Sequence, residues 1–319
     1  MARRSESVST TPDIQDNSPG IELGSFASGA TPATLSKLII ATYNIRYAVG
    51  SFLITGSLLR RVRLSLPHRR ASLVERHLSR AAIALKDGRR LPPVDILALQ
   101  ETDKETARAG RHHIARELAS ALSMNYASAT AGLPRDEEQQ PKQWYLDFEE
   151  HIAPDDTGDT GIALLSRLPL AKTERLALPW TECAWRPRLA LAATIEVGSR
   201  QLHLFNSHID PHASIEGQLE QHRAILDCAS QLEGPIIMLG DFNTLSRRSC
   251  VEMRRLLEAE GFTTPFATGV ATWRAGLIRL HTDWIFVRGI EVTRWGVARG
   301  LGVSDHWPVW VEVNMEKAV

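Results

Sequence analysis

Cysteine is nearly missing from this chain: Cys183, Cys228 and Cys250 are the three in 319 residues. Their odd number and wide spacing exclude a disulfide framework and a cysteine-based zinc site, and they read as thiols of a reducing compartment. Long apolar runs are missing too, and none approaches the length needed to cross a bilayer. Arg3 and Arg4 have no apolar stretch behind them, so no secretory leader is expected and the cytoplasm is the expected location. Net charge is absent as well, with 37 basic and 37 acidic residues. A protein that grips long nucleic acid through many phosphates is usually basic, so neutrality weighs against that mode without excluding a local basic patch.

What is present is the composition of a globular fold, 43% hydrophobic and 23% charged. Residues 1–35, rich in Ser, Thr, Pro, Gly and Asp, carry no apolar period and read as a disordered tail. From there to residue 316, in one expected domain spanning 36–316, short apolar runs alternate with helical patterns. "KLIIATYNI", "VDILALQ", "TGIALLS", "RLALAATIEV", "RQLHLFNSH", "GPIIMLGDF", "TDWIFV" and "WPVWVEV" read as strands. Four helices are expected, two of them behind capping boxes at Thr102/Glu105 and Ser249/Glu252. His77 and His222 fall on helix faces and read as core or boundary residues. Many strands with few helices do not fit a doubly wound sheet. They fit an α/β, four-layer α/β/β/α sandwich of two packed mixed sheets with outer helices.

Two stretches exceed ordinary loops, about 49–70 and 132–159. The first is apolar and then basic, with seven arginines and one acid between Arg60 and Arg80. A segment of this kind can lie on an anionic membrane surface, as a peripheral contact, or meet a polyanionic substrate. The second holds nine acids against Arg135 and Lys142, together with Trp144, Tyr145 and Phe148. Trp180 and Trp185, near Arg186 and Arg188, could add to a substrate rim.

Polar residues stand where several buried strands end: Asn44, Glu101, Asn206, His208, Asp241, Asn243, Asp283, Asp305 and His306. Singly, each is as well explained by a turn; Asp241 could cap one and Asn243 could form an Asx-turn. Together they gather at sheet edges, where open α/β folds bind ligands. Carboxylates, carboxamides and histidines without cysteine are a hard donor set suited to Mg²⁺ or Mn²⁺. Magnesium takes few protein carboxylates and leaves positions for substrate phosphate, so the constellation points to metal-assisted phosphate chemistry.

The order "TYNIR", "LALQE", "GIALLSR", "FNSHID", "LGDFN", "TDWIFV", "VSDHWPV" resembles the endonuclease/exonuclease/phosphatase superfamily over nearly the whole chain after residue 38. The resemblance implies a metal-dependent phosphoesterase. It implies metal-side roles for Asn44, Glu101, Asp241 and Asp305, and catalytic roles for His208, Asp241, Asn243, Asp283 and His306. Asp283 would orient His306, His208 would stabilise the transition state, and either Asp241 or His306 would take the proton from water. The expected reaction is hydrolysis of a phosphodiester, with a nuclease on DNA or RNA as the alternative and a non-catalytic binding protein behind both. The expected partner is the phosphate-ester substrate, whether small molecule, lipid headgroup or nucleic acid; no obligate protein partner is expected.

Overall fold

Alternation along the central strands divides the core in two. In β2 (Lys37–Asn44), Leu38 and Ile40 join one hydrophobic cluster while Ile39, Ala41 and Tyr43 join another. β3 (Ile96–Gln100) and β5 (Gly161–Ser166) repeat the division: Ile96, Ala98 and Leu164 on the first side, Leu97, Leu99 and Leu165 on the second. Burial on both faces is what makes these segments continuous apolar runs in the sequence. The computed structural model describes residues 20–27, 36–50, 67–133, 152–180 and 186–316.

With β1 (Ile21–Ser25), β4 (Asn125–Thr130), β13 (Glu291–Val297) and β14 (Val309–Asn314), these strands form a seven-stranded sheet in the order β1-β4-β5-β3-β2-β14-β13. A second sheet contains β6 (Leu170–Ala177), β7 (Leu189–Val197), β8 (Arg200–His208), β9 (Ile236–Asp241) and β12 (Asp283–Arg288), in the order β12-β9-β8-β7-β6. Both sheets are mixed, since β2–β3 and β8–β9 are parallel and their other neighbours antiparallel. Helices α1 (Pro67–Lys86) and α2 (Ile114–Leu122) pack Val74, Leu78, Leu85, Ile114 and Leu118 on the first sheet. Helices α3 (Ile215–Ala229) and α4 (Arg247–Ala259) bring Ile225, Met253 and Leu257 to the second. The expected sandwich of two mixed sheets and outer helices is therefore the observed one. A short hairpin, β10 (Trp273–Ala275) and β11 (Ile278–Leu280), stands apart from both sheets.

Strand register assembles the polar tips. β9 lies between β8 and β12, so Asp241 stands beside both His208 and Asp283. In the other sheet Asn44 stands beside Gln100, with Glu101 next in the chain. The β8–β9 approach requires glycine at 240, because a Cβ there would lie 2.0 Å from the Ser207 carbonyl oxygen. The two sheets are also clamped by amides: Gln100 Nε2 donates to Asn206 Oδ1 at 2.6 Å, and Asn206 Nδ2 donates to the carbonyls of Leu99 and Ala163. Asn206 is thus a tie between sheets rather than a strand-tip group.

Three local expectations are corrected. Ile21–Ser25, inside the stretch read as a tail, pairs antiparallel with β4. Thr102 and Glu105 do not cap a helix: Asp103 instead accepts from the buried Arg108 guanidinium and the Thr106 hydroxyl, which turns this segment, and α2 starts nine residues after Glu105 behind His113. The second capping box lies three residues earlier than expected, between Ser246 and Ser249. Most of the two expected insertions (51–66 and 134–151) lies outside the described residues, as do Cys183 and Trp185.

His222 is fully buried in α3, its ring edge-on to Phe242 at 4.7 Å, with no hydrogen-bond partner on either nitrogen among the described residues. Burial holds its pKa down at about 3, against about 6.5 in an unfolded chain. Between those values the unfolded state binds the extra proton, so this contribution is complete above pH 6.5 and shrinks as pH falls. Urea unfolding at pH 7.5 and pH 5.0 should show a drop about 2 kcal/mol larger in the wild type than in His222→Leu. Parallel losses in the two proteins would refute a neutral, buried imidazole.

Candidate active site

Three strand ends and two loops converge on Asp241, which is 1% exposed. Its Oδ1 accepts the Asn243 backbone N–H at 3.0 Å and its Oδ2 accepts from Asn44 Nδ2 at 2.9 Å. The same Asn44 nitrogen donates to Glu101 Oε1 at 3.0 Å, so one carboxamide joins carboxylates from opposite sheets. His208 Nε2 and His306 Nε2 each stand 3.7 Å from Asp241 Oδ2. On its other side, His306 Nδ1 meets Asp283 Oδ2 at 2.9 Å and Oδ1 at 3.1 Å. Asp283 is itself fixed by the Thr282 hydroxyl at 2.8 Å and by its own N–H on Thr272 Oγ1 at 3.0 Å.

The backbone is strained where these groups leave their strands. Glu101 and Asn243 have φ of +53° and +49°, and Arg46, Tyr47 and Ala48 take +46°, +39° and +56° in succession. A left-handed residue other than glycine costs about 1–2 kcal/mol, less for asparagine. Local bonds hold the turn: Asn44 Oδ1 accepts the Arg46 N–H at 2.9 Å, and the Glu101 carbonyl accepts the Tyr47 N–H at 3.0 Å. The Arg108 guanidinium lies 4.2 Å over the Tyr47 ring.

Electrostatics follow from burial. Asp241 is pushed up to about 7, first by burial, with the charge of Asp283 adding to it against the opposing pull of His306. Burial disfavours the imidazolium of His306, yet Asp283 and Asp241 together raise it to about 10. Four buried carboxylates (Glu101, Asp241, Asp283 and Asp305) surround two cations, Arg46 and His306. Acid outnumbers base, and a buried excess of negative charge is stabilised by a further cation. Ligand atoms of Asp241, Asp283 and His306 lie within 4.8 Å of one another, a spacing that could hold a metal ion. Nδ1 of His306 is already engaged by Asp283, so the carboxylates of Asp241 and Glu101 are the better-placed donors.

The structure brings together Asn44, Glu101, His208, Asp241, Asn243, Asp283 and His306. Two of the expected metal-side residues are also tied to Arg46. The Asp305 carboxylate forms a buried ion pair with Arg46 at 3.1 Å. Asn44 directs its nitrogen at the acids while its oxygen is turned to Arg46. Asn243 Nδ2 donates to the Ile209 carbonyl at 2.8 Å. Sequence reasoning missed Arg46, whose signal was its place two residues after Asn44. Arg186 and Arg188, the neighbours of the expected rim tryptophans, are both buried, and Arg188 Nη1 stands 3.4 Å from His208 Nε2. Trp273, from the hairpin, meets His306 edge-on at 6.5 Å.

The profile described as Endonuclease/Exonuclease/phosphatase family matches residues 41–306. Among curated protein sequences no match reaches significance. Solved structures similar to this chain include an endonuclease/exonuclease/phosphatase from Bacteroides vulgatus, 17% identical, covering 88% of this chain and 99% of that one, with a TM-score of 0.60. Another is ANGEL2, a 2',3'-cyclic phosphatase, at 13% identity, with 87% and 95% covered and a TM-score of 0.58. A mannosyl-6-phosphatase from Bacteroides thetaiotaomicron VPI-5482 is 18% identical, with 86% and 99% covered and a TM-score of 0.54. At these identities the likeness shows a shared fold.

Removing Arg46 leaves Asp305 buried opposite no guanidinium. Arg46→Met should lower unfolding stability by about 3 kcal/mol or more, measured in urea at neutral pH. Arg46→Met combined with Asp305→Asn should recover a large part of that loss. A double variant as unstable as the sum of its parts would show that the pair does not interact.

Proposed function

The chain belongs to the endonuclease/exonuclease/phosphatase family, and from that premise we propose that it hydrolyses a phosphodiester with the help of Mg²⁺ or Mn²⁺. The observation that carries the reading is the buried Asp283–His306 pair facing Asp241, within a cluster where acids outnumber cations. The oxygen-rich donors fit a hard divalent ion. Asp241 and Glu101 are the residues that would hold it, and bound there it would polarise a phosphoryl oxygen and acidify water.

The side chains divide the remaining work. His306, held charged by Asp283, has no lone pair to accept a proton, so it serves as a fixed positive charge beside the phosphoryl group. Asp241, as a carboxylate facing both His306 and His208, is the group suited to take a proton from the attacking water. Arg188, whose Nη1 reaches His208 Nε2, brings a guanidinium charge to the other side, and His208 stands between it and the same carboxylate. Asn243 anchors one amide N–H on the Ile209 carbonyl, and its second N–H would serve a phosphoryl oxygen. The two similar phosphatase structures support phosphate-ester chemistry on this fold.

Hydrolysis of bis(p-nitrophenyl) phosphate, p-nitrophenyl phosphate and a short single-stranded oligonucleotide should be compared with Mg²⁺, Mn²⁺ or EDTA. Diester cleavage is expected, abolished by EDTA and lowered roughly 10²–10⁴-fold in kcat by His306→Ala or Asp241→Asn. Oligonucleotide cleavage in place of diester turnover would make the protein a nuclease. Turnover indifferent to chelator and to both substitutions would overturn the assignment.

A further inference from the structure

Beside the strand tips lies a cavity of about 320 Å³ that the chemistry above does not use. One wall comes from the segment after β9 and the start of α4, the other from the end of β11 and the residue that follows it. Thr244, next to Asn243, and His281, two residues before Asp283, both line it, so it adjoins the reacting groups. The Thr244 hydroxyl donates to the His281 carbonyl and accepts from Trp284 Nε1 at 2.9 Å, which ties the two walls together.

Independent features of this cavity favour an anion. Arg247 and Arg279 line it with exposed side chains, and no acidic residue lines it. Arg279 also stands directly across the hairpin from Arg274, an opposition of like charges that is unfavourable unless a counter-charge relieves it. Helix α4, thirteen residues long, begins at the cavity; Ser246 caps the Ser249 N–H, and the first N–H groups stand at the positive end of the helix. His281 is 3% exposed, stacks on Trp284 at 3.5 Å, lines the cavity, and among the described residues its ring nitrogens make no well-formed hydrogen bond, the Asp283 backbone offering at best a poorly aligned one. A buried imidazole carries at least one N–H, and that donor calls for an acceptor.

We propose that this cavity is a second anion subsite, which binds a further phosphate group of the substrate next to the ester being cleaved. The proposal rests on the phosphoesterase reading of the neighbouring site and narrows it. The preferred substrate is a small ester carrying an additional phosphomonoester, not a diester with two uncharged arms. Arg247 and Arg279 supply charge from opposite walls, the α4 N-terminus supplies backbone donors, and His281 supplies a buried N–H.

The test compares two chromogenic esters that differ by one phosphate: the p-nitrophenyl ester of thymidine 5'-phosphate, with and without a 3'-phosphate. In the wild type KM should be lower for the 3'-phosphorylated ester. Arg247→Ala/Arg279→Ala should raise that KM roughly ten- to hundredfold, as expected for lost charge-assisted contacts. Its kcat, and both constants for the ester without the 3'-phosphate, should stay the same. Equal changes on both esters, or none on either, would overturn the subsite. If the wild type hydrolyses neither ester, the phosphoesterase reading fails, and calorimetry with inorganic pyrophosphate decides separately. Binding that the double substitution weakens supports the subsite; absent binding, or binding indifferent to the substitution, refutes it. Unchanged thermal unfolding of the variant verifies that two exposed arginines were removed without loss of fold.

Discussion

One carboxamide holds the two halves of the site together. Asn44 ends a strand of the first sheet, and its nitrogen reaches Glu101 in that sheet and Asp241 in the other. Two carboxylates buried so close together repel one another and lose their water, which is why everything around them is arranged to compensate. Arg46 is folded back through a left-handed turn onto Asp305. His306 is pressed between Asp241 and Asp283, and its charge survives burial because both neighbours are acids. The strained backbone at Glu101 and Asn243 belongs to the same arrangement, since it turns side chains inward where an extended strand would carry them past one another.

Much of this was legible in the sequence where burial leaves a pattern. Strands covered on both faces, such as β2, β3, β5 and β9, are unbroken apolar runs. The edge strands β6 and β13 were not legible, because "LAKTERLA" and "EVTRWGV" expose much of both faces and show no clean alternation. The acids, amides and histidines at strand tips stood out because a buried strand has little reason to end in an uncompensated polar group. Arg46 and Arg188 did not, since arginine is ordinarily a surface residue and only the folded chain shows these two buried. The Asp283–His306 pairing spans 23 residues and two strands of different sheets, β12 and β13, so no local spacing announces it. Asn206 was misleading for the opposite reason: it lies two residues before the end of its strand, on the face toward the other sheet, and ties the sheets instead.

Reactivity and selectivity come from different parts of the chain. The reacting groups are delivered by strand ends and short turns whose positions are fixed by sheet register. The neighbouring cavity is walled by a helix start and by a hairpin outside both sheets, elements that lie beyond the strand register. The hairpin touches both, since Trp273 meets His306 while Arg279 lines the cavity. A fold built this way can keep one reaction while its substrates change, in line with the general separation of fold from function.

The order in which the strands enter the first sheet has a consequence for biosynthesis. β14, the last strand, lies between β2 and β13 rather than at an edge, and Asp305 and His306 precede it by only a few residues. A nascent chain that has emerged as far as β12 carries Asn44, Glu101, Asp241 and Asp283, but neither the histidine nor the strand that completes its sheet. Insertion of β14 supplies both at once. Until that strand is seated, the first sheet is split between β2 and β13 and the acids at the strand tips lack His306.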